Sequence, residues 1–332
     1  MDNKKYVIGA DIGGTTVKLG LFEEDGTLLE KWEIPTVVEG DGTAVLRDIA
    51  AEIQKCREKH NIPADGILGV GAGIPGPVTA DGVVHRCVNL GWGVFDVRTA
   101  LEETVGLPVV VVNDANAAAM GEAWKGGGRG SENVVFITLG TGVGGAVISD
   151  GRMVAGANGA AGEFGHMVAG ANGAAGEFGH MTINPAETET CACGRRGCVQ
   201  QYVSASGIAR LARKYLAEHE EESALRSVEK LTTKDVFDAA KNGDSAANAI
   251  LENVYDAFGY AISAVCTVAD PEVVVIGGGV SKAGEMLVEG AKKGFLKYVF
   301  YPSTDVRFNL AVLGNDAGIY GCCELLLDSL AR

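Results

Sequence analysis

The sequence predicts an α/β protein built as two related lobes with a cleft between them. Three observations carry this. The order strand, glycine turn, strand, Asp-Gly turn is written twice; helically spaced apolar residues lie between the two passages; and glycine is abundant, at 48 residues against 8 prolines, which favours turns that need unusual backbone conformations.

The first passage reads as a buried strand over residues 5–10, a glycine turn over 11–16, a returning strand over 17–22 and a tight turn at Asp25-Gly26. The second repeats it over 133–139, 140–145, 146–148 and Asp150-Gly151. Helical spacing is clear in Val45, Ile49, Ile53 and Cys56, and again in Ile250, Val254, Phe258 and Ile262. A shorter helix begins near Thr232 and ends at Asn242-Gly243. An apolar strand over 109–112 stops in Asn113-Asp114 ahead of a helix over 115–124, and another over 273–276 stops in Gly277-Gly-Gly279 ahead of a helix from Ser281. The apolar-striped helix over 317–330 is expected to pack back on the first lobe. The lobes then comprise residues 1–113 plus 317–332, and 114–316. Ligands of open α/β sheets sit beyond strand ends, which directs attention to these loops.

Composition narrows the function. A chain of 332 residues with 47% apolar and 21% charged residues buries a sizeable core. Its formal charge of −15 gives no basic footprint for a phosphate backbone, so nucleic acid is excluded as a partner. The first five residues are polar and run straight into a strand, and no apolar run approaches 18 residues, so the expectation is a cytoplasmic protein without membrane partners. Its eight cysteines are then mostly reduced. Cys56, Cys87, Cys266, Cys322 and Cys323 sit in apolar or helical surroundings and read as core.

Asp11-Ile-Gly-Gly-Thr-Thr16 follows a buried strand. Its glycines let backbone N–H groups approach a phosphate, and Asp11 would face a metal bound to that phosphate; an ordinary hairpin turn is the alternative. Gly140-Thr-Gly-Val-Gly-Gly145 matches the dinucleotide fingerprint in letters only. That fingerprint requires a helix after the turn, whereas residues 146–151 continue as a strand into another turn, so a second phosphate hairpin is the reading. Gly277-Gly-Gly279 suits the adenosine side of a nucleotide. Asp114, at a strand end, is either a helix cap or the carboxylate that accepts a hydroxyl proton in phosphoryl transfer. His180, Cys191, Cys193 and Cys198 supply one imidazole and three thiolates, a set suited to tetrahedral structural zinc.

Residues 153–166 (MVAGANGAAGEFGH) recur without change as residues 167–180. A single 14-residue tandem copy is too short and too few to be a solenoid; it reads as a recent in-frame duplication, an engineered insertion or a sequence error. It offers His166 as a second histidine, but His180 has the better spacing to Cys191.

With these residues assembled, the chain resembles the ROK-family sugar kinases of the actin-like ATPase superfamily, the bacterial glucokinases above all. The resemblance runs from Tyr6 onward through Asp11-Ile-Gly-Gly-Thr15, Gly73-Ile-Pro-Gly-Pro77, Asn89-Leu-Gly-Trp92, Asn113-Asp-Ala-Asn116, Leu139-Gly-Thr-Gly-Val-Gly-Gly145, Gly176-Glu-Phe-Gly-His180, Cys191-Ala-Cys-Gly-Arg-Arg-Gly-Cys198 and Ile276-Gly-Gly-Gly279. It implies two ribonuclease H-like lobes, a hexose and ATP as ligands, Mg2+ and Zn2+ as cofactors, and a homo-oligomer, dimer or tetramer. It implies Asp114 as catalytic base toward the C6 hydroxyl, and Gly76, Asn89, Asn113, Glu177 and His180 around the sugar. Asp11, Gly13, Gly14, Thr15, Thr141, Gly142, Gly278 and Gly279 match the nucleotide loops, and His180, Cys191, Cys193 and Cys198 the zinc ligands.

Two departures stand out. Gln200 occupies the place of a sugar-binding Glu, replacing an ionised acceptor by a neutral amide, and the duplication falls inside the sugar and zinc segment. The expected reaction is phosphorylation of D-glucose at C6. The rivals are a kinase for N-acetylmannosamine, N-acetylglucosamine or fructose, a binding protein inactivated by the duplication, and a sugar-sensing regulator. The last carries a DNA-binding segment before the kinase-like part, whereas here the first strand starts by Tyr6.

Overall fold

The computed structural model describes residues 4–38, 42–85, 87–154 and 178–331. These form two compact units, each with a five-stranded sheet.

The first unit opens with the hairpin β1 (Tyr6–Ile12) and β2 (Thr16–Glu23), continued by β3 (Leu28–Pro35). Helix α1 (Ala44–Lys59) buries Val45, Ile49, Ile53 and Cys56, the residues whose spacing predicts it. Strand β4 (Ile67–Ile74) follows, then a small two-stranded sheet of β5 (Val83–Val84) and β6 (Phe95–Asp96). Helix α2 (Val97–Val105) is capped by the Asp96 side chain and ends at Gly106 in the left-handed conformation. Strand β7 (Val109–Asn113) then runs directly into α3 (Asp114–Lys125).

The second unit begins with the hairpin β8 (Val134–Leu139) and β9 (Val143–Ser149), followed by the short β10 (Arg152–Met153). The turn between β8 and β9 is tighter than the six residues the sequence suggests: Val143, Gly144 and Gly145 already pair with Leu139, Thr138 and Ile137, because the β-branched Val143 restarts the ladder. The strand that follows removes the dinucleotide-fold reading, as expected. Helices α4 (Gln200–Val203), α5 (Ala205–Glu218), α6 (Thr233–Lys241) and the long α7 (Ser245–Ala269) cover the sheet. A Thr232–Asp235 capping box starts α6, and Ile250, Val254, Phe258 and Ile262 form the buried stripe of α7. Strand β11 (Val273–Gly277) leads not into a helix at Ser281 but into a 3-10 turn, Gly279–Ala283. Gly284, at φ +75°, stops that turn, and α8 (Glu285–Phe295) starts after it. Strand β12 (Arg307–Leu310) completes the unit.

The chain then returns to the first unit with α9 (Ala317–Leu330), which packs on β1, β4 and α3. Sheet orders are β3-β2-β1-β4-β7 and β10-β9-β8-β11-β12. In both, a hairpin extends to one side of the first strand and two parallel strands to the other, so the repeat legible in the sequence is a repeat of topology. Cys56, Cys87, Cys266, Cys322 and Cys323 are all buried and free. Among the described residues, no helix is long and apolar enough to cross a membrane.

Helix α9 lies unusually close to its neighbours. A Cβ on Gly321 would sit 1.7 Å from the Ala117 carbonyl oxygen of α3, and one on Gly121 would sit 2.1 Å from that of Ala317. The two helices therefore touch backbone to backbone, an approach only glycine permits.

Candidate active site

In the first unit, β1 and β7, which flank β4, bring two carboxylates to the same edge of the sheet. Asp114 is the first residue of α3, and the helix cap is its predecessor: Asn113 Oδ1 accepts the Asn116 N–H at 3.1 Å. The capping role open to Asp114 in the sequence thus belongs to Asn113. Asp114 Oδ1 accepts its neighbour's N–H, from Ala115 at 2.8 Å, and its own N–H and the Asn113 side chain also favour the ionised carboxylate. Burial pushes its carboxyl up to about 6, the Ala115 N–H opposes this, and the negative charge of Asp11 adds to it. Asp11 is also raised, by burial, with partial relief from the Lys18 ammonium at 4.0 Å. Lys18 in turn donates to the Asn315 carbonyl ahead of α9.

The expected sugar residues of this unit cluster. Asn113 Nδ2 donates to the Gly76 carbonyl at 3.0 Å, and Gly76 holds φ at +100°, which disfavours any side chain there. Asn89 lies in a 3-10 turn, Val88–Leu90, and a Cβ on Gly14 would come within 2.9 Å of its own Cβ. The Asp11–Thr16 turn is thereby placed against Asn89. That turn is closed by the Gly13 N–H to the Thr16 carbonyl and braced by Thr36, whose hydroxyl donates to Gly13 and whose N–H donates to the Thr15 carbonyl. Gly318 of α9 meets the Asp11 carboxylate so closely that a Cβ would sit 2.8 Å from Oδ2. Oxygen donors of this kind suit magnesium.

In the second unit the Gly140–Gly142 turn and the Gly277–Gly279 turn are neighbours. Gly278, at φ +82°, approaches Leu139 so that a Cβ would lie 2.5 Å from its carbonyl oxygen. The start of α5 secures the first turn: Ala205 N–H donates to the Gly140 carbonyl, and the Ser206 hydroxyl to that of Thr141. The cysteine segment lies beside the Gly140–Gly142 turn, reached through Gln200. His180 ends the short turn Phe178–His180, and its ring nitrogen Nδ1 is 3.5 Å from Cys191 Sγ; Cys193 and Cys198 sulfurs are 3.6 Å apart. One donor atom from each of the four residues falls within 4.8 Å of the others. A tetrahedron with metal–ligand bonds of about 2.0–2.3 Å has edges of roughly 3.3–3.8 Å; the 3.5 and 3.6 Å pairs match this, so the donor set suits a zinc ion around which the wider pairs close by up to about 1 Å. Burial lowers the His180 pKa, with the Arg195 cation adding to the effect, and so favours the neutral imidazole that a metal requires. Gln200 donates from Nε2 to Cys191 Sγ at 3.1 Å. Glu177 and His166 lie outside the described residues, as does most of the duplication.

The ROK family pattern matches residues 7–170 and 167–329. The chain belongs to the ROK family. The two matched ranges overlap at the start of the second repeat copy, so the family pattern spans the chain despite the duplication. The chain is 39% identical to a glucokinase of Halalkalibacterium halodurans over 96% of its length and 93% of the relative's. It is 34% identical to a glucokinase of Thermotoga maritima, over 98% and 99%. The crystal structure of a ROK family glucokinase from Streptomyces griseus in complex with glucose and AMPPNP is similar at a TM-score of 0.69 and 31% identity, covering 96% and 98%. This is therefore a ROK sugar kinase, closely related to bacterial glucokinases, with the fold of the actin-like ATPase kinases.

Sequence reasoning missed the network that supports the cysteine segment. Glu187 is nearly enclosed and fully engaged: it accepts from the Thr188 and Glu189 N–H groups, from Tyr202 Oη and from Arg210 of α5, which also pairs with Glu189. No local pattern signals a pair 23 residues apart. Burial alone would raise the Glu187 pKa, but these donors outweigh it and hold it down to about 2. Because the folded value is depressed, the stabilisation is complete above the unfolded value near 4.5 and disappears as pH falls toward 2. The shift corresponds to about 3 kcal/mol. Glu187→Gln is expected to cost about that much at pH 7 and much less at pH 3, measured by urea unfolding at the two values. An equal loss at both would show that the charge is not what matters.

Proposed function

We propose that this kinase transfers the γ-phosphoryl group of ATP to the C6 hydroxyl of D-glucose, giving glucose 6-phosphate and ADP. The observation that carries the reading is Asp114, a partly buried carboxylate at the end of β7, freed from helix capping by Asn113 and adjacent in sequence to the residue that ties down Gly76. A base with a pKa of about 6 is ionised at neutral pH yet still accepts a proton readily.

In this reading Asp114 takes the C6 hydroxyl proton while the sugar oxygen forms a bond to the γ-phosphorus. The bond from that phosphorus to the β–γ bridging oxygen breaks, and its electron pair leaves with ADP. Asn113, Asn89, Gly76, Glu177, His180 and Gln200 orient the sugar. Asp11, Gly13, Gly14 and Thr15, with Thr141, Gly142, Gly278 and Gly279, receive the nucleotide. Bound Mg2+ would supply charge neutralisation on the phosphates, with Asp11 as its protein-side anchor. Zn2+ on His180, Cys191, Cys193 and Cys198 would fix the segment that carries the sugar contacts.

The base must be deprotonated, so activity is lost as pH falls through the Asp114 pKa. A plot of kcat/KM against pH is expected to bend near 6, and a flat profile from pH 5 to 8 would remove Asp114 from that role.

The duplication favours one second reading, a protein that binds sugar without turning it over, because a small displacement of the repeated segment is enough to cost about 100-fold in rate. ADP release measured over glucose, N-acetylmannosamine, N-acetylglucosamine and fructose, on this chain and on a version lacking residues 167–180, tests both. Fastest turnover of glucose by both chains supports the proposal. Rapid turnover of another sugar without glucose turnover ends the glucokinase assignment. Calorimetric sugar binding by the full chain, with turnover only in the shortened one, establishes the second reading.

A further inference from the structure

Two consecutive glutamines at the start of α4 reach into the cysteine loop. Gln201, which is buried, accepts the Cys198 N–H at 3.1 Å through Oε1 and donates to the Glu189 carbonyl at 3.0 Å through Nε2. Gln200 does something different, because its partner is a side-chain sulfur. Its Nε2 donates to Cys191 Sγ at 3.1 Å. Its Oε1 faces the glycines on either side of it: a Cβ on Gly142 would come within 3.4 Å of that oxygen, and one on Gly179 within 3.2 Å. Its backbone is held as well, since the Ser204 hydroxyl donates to the Gln200 carbonyl at 2.6 Å and accepts the Gly207 N–H at 2.9 Å.

We propose that Gln200 is a positioning residue of the zinc centre, its amide N–H fixing the Cys191 sulfur while its amide oxygen lies against Gly142 and Gly179. The proposal rests on reading His180, Cys191, Cys193 and Cys198 as zinc ligands. A metal-bound thiolate accepts hydrogen bonds and donates none, and a donor at this distance withdraws charge from the sulfur and fixes its lone pair toward the metal. An amide can do this; an ionised carboxylate of the same shape cannot, and would place a second negative charge beside the thiolate. The residue that departs from the family pattern is thus suited to the metal ligand it touches, and it links that ligand to the Gly140–Gly142 turn.

The test uses the full chain, with Gln200→Glu, which keeps the shape and reverses the polarity, and Gln200→Leu, which keeps bulk and removes the donor. Zinc affinity is measured by competition with a chromophoric chelator, and cobalt(II) substitution reports the thiolate-to-metal charge-transfer band. Wild-type protein is expected to bind one zinc per chain. Both variants should bind about 10–100-fold more weakly, Gln200→Glu weakest, with the charge-transfer band shifted but the four-coordinate cobalt spectrum retained. Unchanged affinity and an unchanged band in both variants would overturn the role of Gln200 while leaving the zinc site intact. Wild-type chain with no thiolate-to-cobalt band would overturn the zinc site itself, and this proposal with it. These metal readouts are needed because Gln200→Glu also restores the acceptor that the family pattern assigns to sugar binding, so activity alone confounds the two effects.

Discussion

Asp114→Asn is expected to lower kcat by about 10²–10⁴-fold while leaving the fold intact and sugar affinity within about tenfold. The geometry separates the two effects. Helix α3 keeps its cap, because the capping oxygen belongs to Asn113, so the substitution removes a base and little else. Stability should be unchanged or higher: a carboxyl raised by burial to about 6 from an ordinary 3.8 is a charge the folded state holds at a cost near neutral pH, and the neutral amide removes that cost. Single-turnover kinetics, calorimetry with glucose and a thermal melt together decide the matter. A variant that kept more than a tenth of wild-type kcat would show that some other group accepts the proton, and one that melted well below wild type would return Asp114 to a structural role.

The second large effect is expected at Gly321→Ala. One added methyl group would start 1.7 Å from the Ala117 carbonyl oxygen, and because the obstacle is backbone it cannot rotate away. Helices α3 and α9 must separate. Overpacking of this kind costs about 3 kcal/mol, and for a unit of this size that lowers Tm by roughly 6–12 °C. The same separation moves Asp114, which begins α3, so kcat should fall by about 100-fold. A melt within 2 °C of wild type, about the smallest shift a 1 kcal/mol change would give, would show that the interface yields cheaply.

Much of this was legible in the sequence. Both glycine hairpins, the strand that stops at Asn113, the buried stripes of α1 and α7 and the cysteine cluster are local patterns: alternation, helical spacing, turn residues and short ligand intervals. What was missed depends on partners distant in the chain. Strand β3 shows alternating half-buried and exposed residues, an edge pattern with weak apolar contrast. The Arg210–Glu187 pair, Gly318 against Asp11 and the contact of Gln200 with Cys191 exist only once separate segments meet. The sequence pattern starts helix α8 four residues early because Gly284, whose left-handed backbone interrupts the run, looks from its neighbours like any other glycine in a helix start.

The return of α9 to the first sheet also bears on how the protein is made. Domains commonly fold in the order of synthesis, but here the first unit lacks the helix that covers β1 and β4 until residues 131–312 have been translated. At roughly 5–20 residues per second that is a wait of roughly 10–40 s, during which Gly9, Gly71 and Gly121, later pressed against the α9 backbone, face an unfilled groove on the nascent chain. A ribosome stalled anywhere before residue 317 would hold out an unfinished sheet, a natural target for chaperones, however complete its first 130 residues.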